Sequence, residues 1–375
     1  MGEGMAAPRE RGSNCMTKKD DTSIIPPLEA DFTGQQLDLF RTFLFNGEDN
    51  RDRLSNTFDL WDSVPRYAVS RQQMDKVRKI KGFLDLQQIE FHYRGTTLKT
   101  IIQAARILDE KTGTSKDYYP SANEELIEDA LRKIAADHQS AFFDKTNFRS
   151  GVVFTLYMLR EELRKRGHTR SYQEIVLSLQ ILASSVIEIR GKENTNGFAK
   201  SAYFPALSAV SKIKLTDDPQ AKWMVQFHPL VTQEIDTLTY RQFNYAQMMS
   251  HNTQLARWLH KQLSLKFTFA SLLTPFEMRY STIKRDSALL EGYGLQRKAI
   301  TAMDAALDEL KTVCVLMKIE KKLILGKRNK IEDVVYTLFP SSDFIAAIKA
   351  ANKRKQLAEV QKSNPVKLST GHENR

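Results

Sequence analysis

The order of apolar patterns along the chain limits its fold more than any other feature of the sequence. Within 152–188, a short alternating stretch precedes two stretches whose apolar residues lie three or four positions apart, which is typical of helices. The turn between these two helices is only a few residues long. Alternating stretches bounded by polar turns follow, as expected of strands. This segment therefore predicts a helix-turn-helix followed by a β-hairpin wing.

The same order returns in the second half of the chain. The spacing predicts one long amphipathic helix over 241–264, then a shorter helix with Pro275 in its first turn, then a third helix over 295–316. Two alternating stretches around the basic turn 326–330 form a second wing. A twofold order of this kind predicts an α+β fold made of two tandem winged-helix domains.

Changes in composition suggest the limits of these domains. Residues 1–66 are mostly polar and are expected to form a flexible leader. We assign 67–238 to the N-terminal winged-helix domain and 239–350 to the C-terminal one. The last segment, 351–375, is expected to be a basic polar tail that cannot bury a core.

Local patterns add detail to the first domain. Alternation over 88–95 predicts a strand, and helical spacing of apolar residues predicts helices over 97–111 and 122–139. The second of these helices has Ser121 as its expected cap, with Glu124 three residues later in capping-box spacing.

The charge of the chain indicates a polyanionic partner. Lys and Arg outnumber Asp and Glu by 56 to 45, which gives a formal net charge of +11 and a pI near 9.4, and basic proteins gain affinity for nucleic acids by neutralising phosphates. The sequence contains no long uncharged apolar run and no secretory signal. Its two cysteines, Cys15 and Cys314, can form neither a disulfide framework nor a zinc site. We therefore expect a cytoplasmic protein that does not contact a membrane.

The sequence lacks the usual marks of catalysis. A phosphate-binding GxxxxGK[ST] loop and a GxGxxG motif after a strand are both missing, and the seven histidines form no HExxH or His-x-His pattern. Tyr118, Tyr119 and Tyr203 could attack a phosphate in principle, but no metal-binding partner lies near them in the sequence. We expect no enzymatic activity, no metal and no cofactor.

One short string, QLDLF, is more specific than the rest of the sequence. It comprises Gln36, Leu37, Asp38, Leu39 and Phe40 and resembles the pentapeptide with which bacterial replication proteins bind the sliding DNA clamp. Its two leucines and its phenylalanine form a compact apolar anchor within a polar stretch, as a motif read by a pocket requires. Packing of the same string against the first domain is the alternative interpretation.

Basic and amide side chains converge near the start of the predicted helix 295–316. Arg can pair with guanine and Gln with adenine in the major groove, whereas Lys suits phosphate. An ordinary solvated helix face is the alternative interpretation. The candidate DNA contacts are Tyr293, Gln296, Arg297 and Lys298 at the helix start, Arg279, Lys284 and Arg285 before it, and Lys327, Arg328 and Lys330 at the wing tip.

The first helix-turn-helix has a less basic patch at the corresponding position. Arg170, Ser171, Tyr172 and Gln173 begin its second helix, and two basic residues, 165 and 166, precede them. The neighbouring Glu174 and apolar residues make this patch equally suited to a protein interface.

Together these features resemble the replication initiators of theta-replicating plasmids, a tandem winged-helix family whose broad-host-range members carry a clamp-binding pentapeptide before the first domain. The resemblance covers Gln36 to Lys355. It implies that the C-terminal winged helix reads repeated origin sites called iterons, through 293–298 and 327–330, and that 165–173 contact DNA or a second copy. It also implies a monomer-dimer equilibrium in which monomers initiate. The sliding clamp, the host initiator protein and the replicative helicase would then be recruited to an opened A+T-rich segment.

Three other functions remain open from the sequence. A winged-helix transcriptional repressor would share the reading helices but would have no use for the pentapeptide. A nicking enzyme of rolling-circle replication would need a metal-binding His pair near a nucleophilic Tyr, and that pair is missing. A clamp-associated repair factor would bind DNA with weak sequence discrimination.

Overall fold

The computed structural model describes residues 52–109, 112–137, 141–191, 197–211 and 218–363. The elements of the first part of the chain are, in order, β1 (Leu54–Phe58), α1 (Arg71–Lys81), β2 (Gln87–Tyr93), β3 (Thr96–Gln103), β4 (Ala105–Asp109), β5 (Thr114–Tyr118), α2 (Ala122–Asp137), β6 (Ala141–Asp144), β7 (Arg149–Thr155), α3 (Leu156–Lys165), α4 (Tyr172–Ser184), β8 (Val186–Gly191), β9 (Phe198–Ala202), β10 (Leu207–Val210), β11 (Lys222–Gln226), α5 (Pro229–Thr237), β12 (Tyr240–Asn244) and α6 (Tyr245–Met249).

The second part contains fewer elements. They are α7 (Gln254–Lys266), β13 (Phe276–Arg279), α8 (Tyr280–Ser287), α9 (Gln296–Thr312), β14 (Leu316–Leu325), β15 (Ile331–Pro340) and α10 (Ser342–Ser363).

These last seven elements form a winged helix. The order of helix, strand, two helices and a long hairpin is followed by the final helix, and the strands make one antiparallel sheet in the order β13-β15-β14. Helix α9 buries Ala299, Met303, Ala306 and Leu310 against this core, at the spacing of one helix face. The structure thus confirms the predicted third helix and the hairpin that follows it.

The first part contains the same order with additional strands. Elements α2, β7, α3, α4, β8 and β9 follow one another as in the second unit, but β7 pairs with β6 and β11, and the β8–β9 hairpin extends a sheet of order β2-β3-β8-β9. Helix α4 begins at a capping box formed by Ser171 and Glu174. The predicted α+β class with two winged-helix units is therefore confirmed.

Two clusters of buried apolar side chains correspond to these units. The first runs from Phe58 to Met249 and the second from Leu255 to Ile348. Strand β12 pairs with β1, and β12 and α6 both contribute to the first core. The domain limit proposed from the sequence lies between 238 and 239. It therefore separates β12 and α6 from the first core, on which both pack.

The folded part of the chain is longer at both ends than the sequence suggested. Residues 54–66 were assigned to the flexible leader, but β1 is largely buried, and Trp61 is fully buried. At the other end, 351–363 were assigned to a polar tail, yet they continue α10. Polar residues in these segments are consistent with folding because specific partners bind them, as described for Asn352 below.

Three local predictions were wrong. The described part of the predicted helix 97–111 forms strands β3 and β4 instead, and its β-branched residues at 97, 100, 101 and 102 favour extended backbone. The long helix over 241–264 is divided into β12, α6 and α7, because Phe243 packs in the first core and Thr253 caps a new helix. Pro275 precedes β13 rather than beginning a helix.

Helix α10 links the two cores. Phe344, Ile345 and Ile348 are buried in the second core, while Ala358 packs against the first. No helix among the described residues is both long and apolar enough to cross a membrane.

Candidate nucleic-acid interface

The exposed start of α9 forms the centre of the candidate interface. The whole segment 291–298 is exposed, including Gln296, Arg297 and Lys298, and Tyr293 has 44% of its surface accessible. No residue in the described part of the chain forms an ion pair with Arg297 or Lys298. Their charges are therefore available to a ligand.

The first backbone amides of α9 have no side-chain cap, although Lys298 N donates to Leu295 O at 3.0 Å. Leu295 occupies the N-cap position of α9, and its apolar side chain cannot accept a hydrogen bond from the first helical amides. Free amides and the positive end of the helix dipole favour anions such as phosphate. The start of α9 is thus electrostatically suited to a nucleic acid backbone.

Asp304 holds the wing against α9. Its carboxylate accepts a hydrogen bond from the Tyr336 hydroxyl at 2.8 Å and lies 2.6 Å from Lys321 Nζ. Burial and the neighbouring Asp304 raise the pKa of Tyr336, so this hydroxyl stays protonated and donates. Both strands of the hairpin therefore contact the middle of α9, β14 through Lys321 and β15 through Tyr336.

This contact determines the direction in which the wing extends. Strand β14 starts beside the end of α9 and reaches Asp304 at Lys321, so it runs back towards the start of the helix. From Asp304 to Gln296 the helix rises about 12 Å, while β14 advances about 13 Å from Lys321 to its end at Leu325. The wing tip and the start of α9 consequently lie at the same end of the domain.

The wing tip is basic and tightly turned. Lys327, Arg328 and Lys330 are all exposed, and none of them forms an ion pair with a described residue. Arg328 and Asn329 have positive φ values of 60° and 54°, and Gly326 N donates to Lys330 O at 2.8 Å. These backbone angles turn the chain within three residues, so the cations project from the end of the hairpin.

The other predicted basic residues have a different environment. Arg279 is exposed at the end of β13, but Arg285 forms an ion pair with Asp286 at 2.7 Å, and Lys284 lies 3.9 Å from Glu291. The side chains of 284 and 285 line a groove of about 600 Å³ between α8 and β2. These two side chains therefore face the groove between the two units rather than the exposed start of α9.

Asp333 fixes the helix that precedes α9. Its two carboxylate oxygens accept hydrogen bonds from Ser281 N at 3.0 Å and Ser281 Oγ at 2.7 Å, at the start of α8. Burial alone would raise the pKa of Asp333, but these hydrogen bonds and one from Val334 N hold it below its ordinary value. The carboxylate is thus ionised near neutral pH and anchors α8 to the sheet.

The corresponding patch of the first unit is mostly engaged by internal contacts. Arg170 donates to Asn123 Oδ1 at 2.9 Å, Ser171 caps α4, and the Tyr172 ring lies under the Arg160 guanidinium at 4.7 Å. Gln173 alone of the four predicted residues is exposed without such a contact among the described residues.

The two basic residues that precede this patch are also paired. Lys165 and Arg166 both contact the carboxylate of Asp52, and Arg166 also pairs with Glu162 at 2.9 Å. The patch 165–173 therefore offers fewer free cations than the start of α9 and the wing tip, as the sequence suggested.

The pentapeptide 36–40 lies outside the described residues. Helix α1, in contrast, received no functional assignment from the sequence, although its first turn is next to the start of α9. A signal for it was present, since Ser70 and Gln73 have capping-box spacing ahead of a basic stretch. Its proximity to α9 could not be seen without the tertiary fold.

Comparison with known proteins gave only distant similarities. No protein-family model and no curated protein matches the chain. A crystal structure of a selenomethionine derivative of domains 2 and 3 of RctB is 11% identical with a TM-score of 0.46, over 70% of this chain and 93% of that one. Another structure of RctB domains 2 and 3 is 12% identical with a TM-score of 0.45, over 78% of this chain and 99% of that one.

A third similar structure is that of the Pi initiator protein in complex with iteron DNA. It is 12% identical with a TM-score of 0.40, over 59% of this chain and 95% of that one. Since all three TM-scores are below 0.5, we base the functional proposal on the residues of this chain.

Proposed function

We propose that the protein binds repeated sites in origin DNA sequence-specifically and initiates replication there. The observation that carries this proposal is the placement of unpaired Gln296, Arg297 and Lys298 at the exposed start of α9, at the same end as the basic wing tip. A helix start can enter the major groove while a wing follows the adjacent backbone. The protein needs no catalytic group and no cofactor for this role.

Each side chain has a defined task in the proposed complex. Arg297 would donate two hydrogen bonds to guanine, Gln296 would pair with adenine, and Lys298 would bind a phosphate. Tyr293 would support them at the groove edge. Lys327, Arg328 and Lys330 would neutralise phosphates under the wing, which adds affinity but no sequence information.

The first unit would supply the second contact. Gln173 is free to reach DNA, whereas the internal contacts of Arg170, Ser171 and Tyr172 make a protein interface with a second copy the other role for this patch. A monomer-dimer equilibrium would then control how many copies can bind the origin.

Recruitment of the replication machinery is the remaining part of the proposal. Binding of several copies would strain an adjacent A+T-rich segment, because the energy of deforming DNA depends on its sequence. The sliding clamp would dock on 36–40, and the host initiator protein and replicative helicase would join at the opened strand in the bacterial cytoplasm.

A transcriptional repressor is the second candidate, because the DNA interface alone would serve it equally well. Replacement of Leu37 and Phe40 by Ala separates the two. An initiator would lose binding to purified sliding clamp and support less replication from its origin, while its DNA affinity would not change. A repressor would show neither loss.

The first experiment measures binding of the full chain, at two salt concentrations, to fragments that tile the replicon encoding it. Arg297→Ala and Lys298→Ala are compared with the wild type, and Lys311→Ala, an exposed lysine at the far end of the same helix, is the matched control. We expect tight binding to one repeat-bearing fragment, weakened by about 1–3 kcal/mol in Arg297→Ala and unchanged in the control. Equal binding to every fragment would refute site-specific recognition and favour the clamp-associated repair factor.

A further inference from the structure

Helix α1 lies directly beside the loop that leads into α9. A Cβ atom at Gly292 would be only 2.5 Å from Gln73 Nε2, so the two residues are in close contact. The other end of the Gln73 amide is fixed, since Ser70 N donates to Gln73 Oε1 at 2.8 Å within the capping box. The first turn of α1 thus belongs to the same surface as the start of α9, although it comes from the first unit.

Helix α1 is rigidly anchored on its inner side. Met74 is fully buried, and Arg71 forms an ion pair with Glu124 at 2.6 Å. The guanidinium of Arg78 lies 4.8 Å from the centre of the Tyr118 ring, and Gly82 ends the helix in the left-handed conformation. A helix held in this way presents its outer side chains from fixed positions.

Two lysines on the outer side form no ion pair within 4.0 Å with any described residue. Lys76 and Lys79 are exposed and follow Gln73 at successive intervals of three residues, which places them one turn apart along the helix. The neighbouring Asp75 forms its ion pair with Arg78, at 2.5 Å, and attracts Lys79 only at longer range. Lys81, in contrast, pairs with Asp85.

We propose that Lys76 and Lys79 bind phosphates of the DNA strand that flanks the bases read by α9. This inference rests on the proposed function, which places DNA at the start of α9. DNA lying on that helix start would pass the contact between Gly292 and Gln73 and then meet the outer side of α1. Two mobile lysines on a fixed helix suit phosphates, which need charge without a specific geometry. The first unit would thereby extend the footprint of the second.

The test is a salt titration of DNA binding by the full chain. In Lys76→Gln with Lys79→Gln, loss of two phosphate contacts should make the slope of log affinity against log salt less steep by about 1.8. Affinity for the repeat-bearing fragment and for a shuffled fragment should fall by the same factor. Hydroxyl-radical footprinting should show that protection is lost at the flank of the site. Protection within the site should not change.

The matched control replaces the same number of charges elsewhere. Lys349→Gln with Lys353→Gln removes two exposed lysines of α10, which begins at the end of β15 opposite the wing tip. This variant should retain the wild-type slope and footprint. Thermal unfolding of both variants should match the wild type, because all four lysines are exposed.

Two outcomes would overturn the inference in distinguishable ways. A wild-type slope and footprint in the α1 variant, with sequence discrimination intact, would refute the phosphate contacts and leave the proposed function standing. Equal slopes for both double variants would show only a general effect of net charge, which also refutes a contact at α1. If the wild type failed to discriminate between the two fragments, the proposed function itself would fail.

Discussion

Lys261 Nζ lies 2.9 Å from the carboxylate of Asp129, across the contact between the two cores. The same ammonium group is 2.9 Å from Glu125, and all three side chains are buried. Lys261 belongs to α7 of the second unit, whereas the two acids lie on α2 of the first. Gln262 Nε2 adds a hydrogen bond to Asp62 O at 2.9 Å. The distance between the two helix-turn-helix units is therefore set by a charged contact that requires a defined geometry.

We expect Lys261→Met to lower the free energy of unfolding by about 3–5 kcal/mol, because the buried Glu125 would lose its cation and the buried Asp129 would retain only Arg132. Urea unfolding followed by circular dichroism measures this loss. Lys349→Met, at an exposed position of α10, is the control and should change stability by less than about 0.5 kcal/mol. An equally small effect for Lys261→Met would show that water or other side chains replace the cation at this contact.

Replacement of Asn352 should also lower stability. Its Nδ2 donates to Thr268 O at 2.9 Å and its Oδ1 accepts from Arg241, so it joins α10 to both units. We expect Asn352→Ala to cost about 1–2 kcal/mol, because the Thr268 carbonyl and the Arg241 guanidinium would each lose a hydrogen-bond partner. Differential scanning calorimetry of this variant, with Lys353→Ala as a neighbouring exposed control, measures the cost. Identical melting curves would mean that 351–363 behave as the polar tail expected from the sequence.

The wing tip should contribute affinity without specificity. Replacing Lys327, Arg328 and Lys330 by Gln should make the salt slope of DNA binding less steep by about 2–3, since each of these cations is free to meet a phosphate. The ratio of affinities for the repeat-bearing and shuffled fragments should remain that of the wild type. Fluorescence anisotropy over a salt series measures both quantities. A changed ratio would show instead that the tip reads bases.

Buried histidines should make the fold sensitive to mild acid. Burial, with the nearby Arg66, lowers the pKa of His228 to about 3, and burial also lowers the pKa values of His251 and His260, whose ring nitrogens lie 3.0 Å apart. Between pH 6.5 and about 4 the unfolded chain therefore binds protons that the folded chain does not. Stability should fall as the pH is lowered through this window, by about 1.4 kcal/mol per pH unit for each histidine.

Glu234 changes the stability of the fold with pH in the opposite direction to the histidines. Burial raises its pKa to about 8, so the folded chain keeps a proton on this carboxyl while the unfolded chain releases it above its ordinary pKa. The stability that this protonated carboxyl contributes is fully present below its ordinary pKa and is lost as the pH rises towards 8. Glu234→Gln should therefore steepen the loss of stability between pH 6.5 and 5, measured by urea unfolding at several pH values. Parallel curves for variant and wild type would show that this carboxyl is ionised in the fold.

The sequence alone predicted the elements that depend on local chemistry. Helix α9 was found from its apolar spacing, the wing from two alternating stretches around 326–330, and the cap at Ser171 falls where the second helix was expected to start. These features are set by neighbouring residues, because helix faces, turns and caps involve side chains only a few positions apart. The identity of the exposed residues at 293–298 could be stated for the same reason.

Only the tertiary structure decided which residues separated in sequence come together. Helical spacing over 97–111 was overridden when β3 paired with both β2 and β8. Phe243 joined the first core instead of a long helix, and Lys284 and Arg285 face a groove that one unit alone could not form. Burial of charges such as Lys261 and Asp129 likewise depends on partners more than a hundred residues away. Local patterns contain no information on these partners, because their energy arises from desolvation and packing after the two units have met.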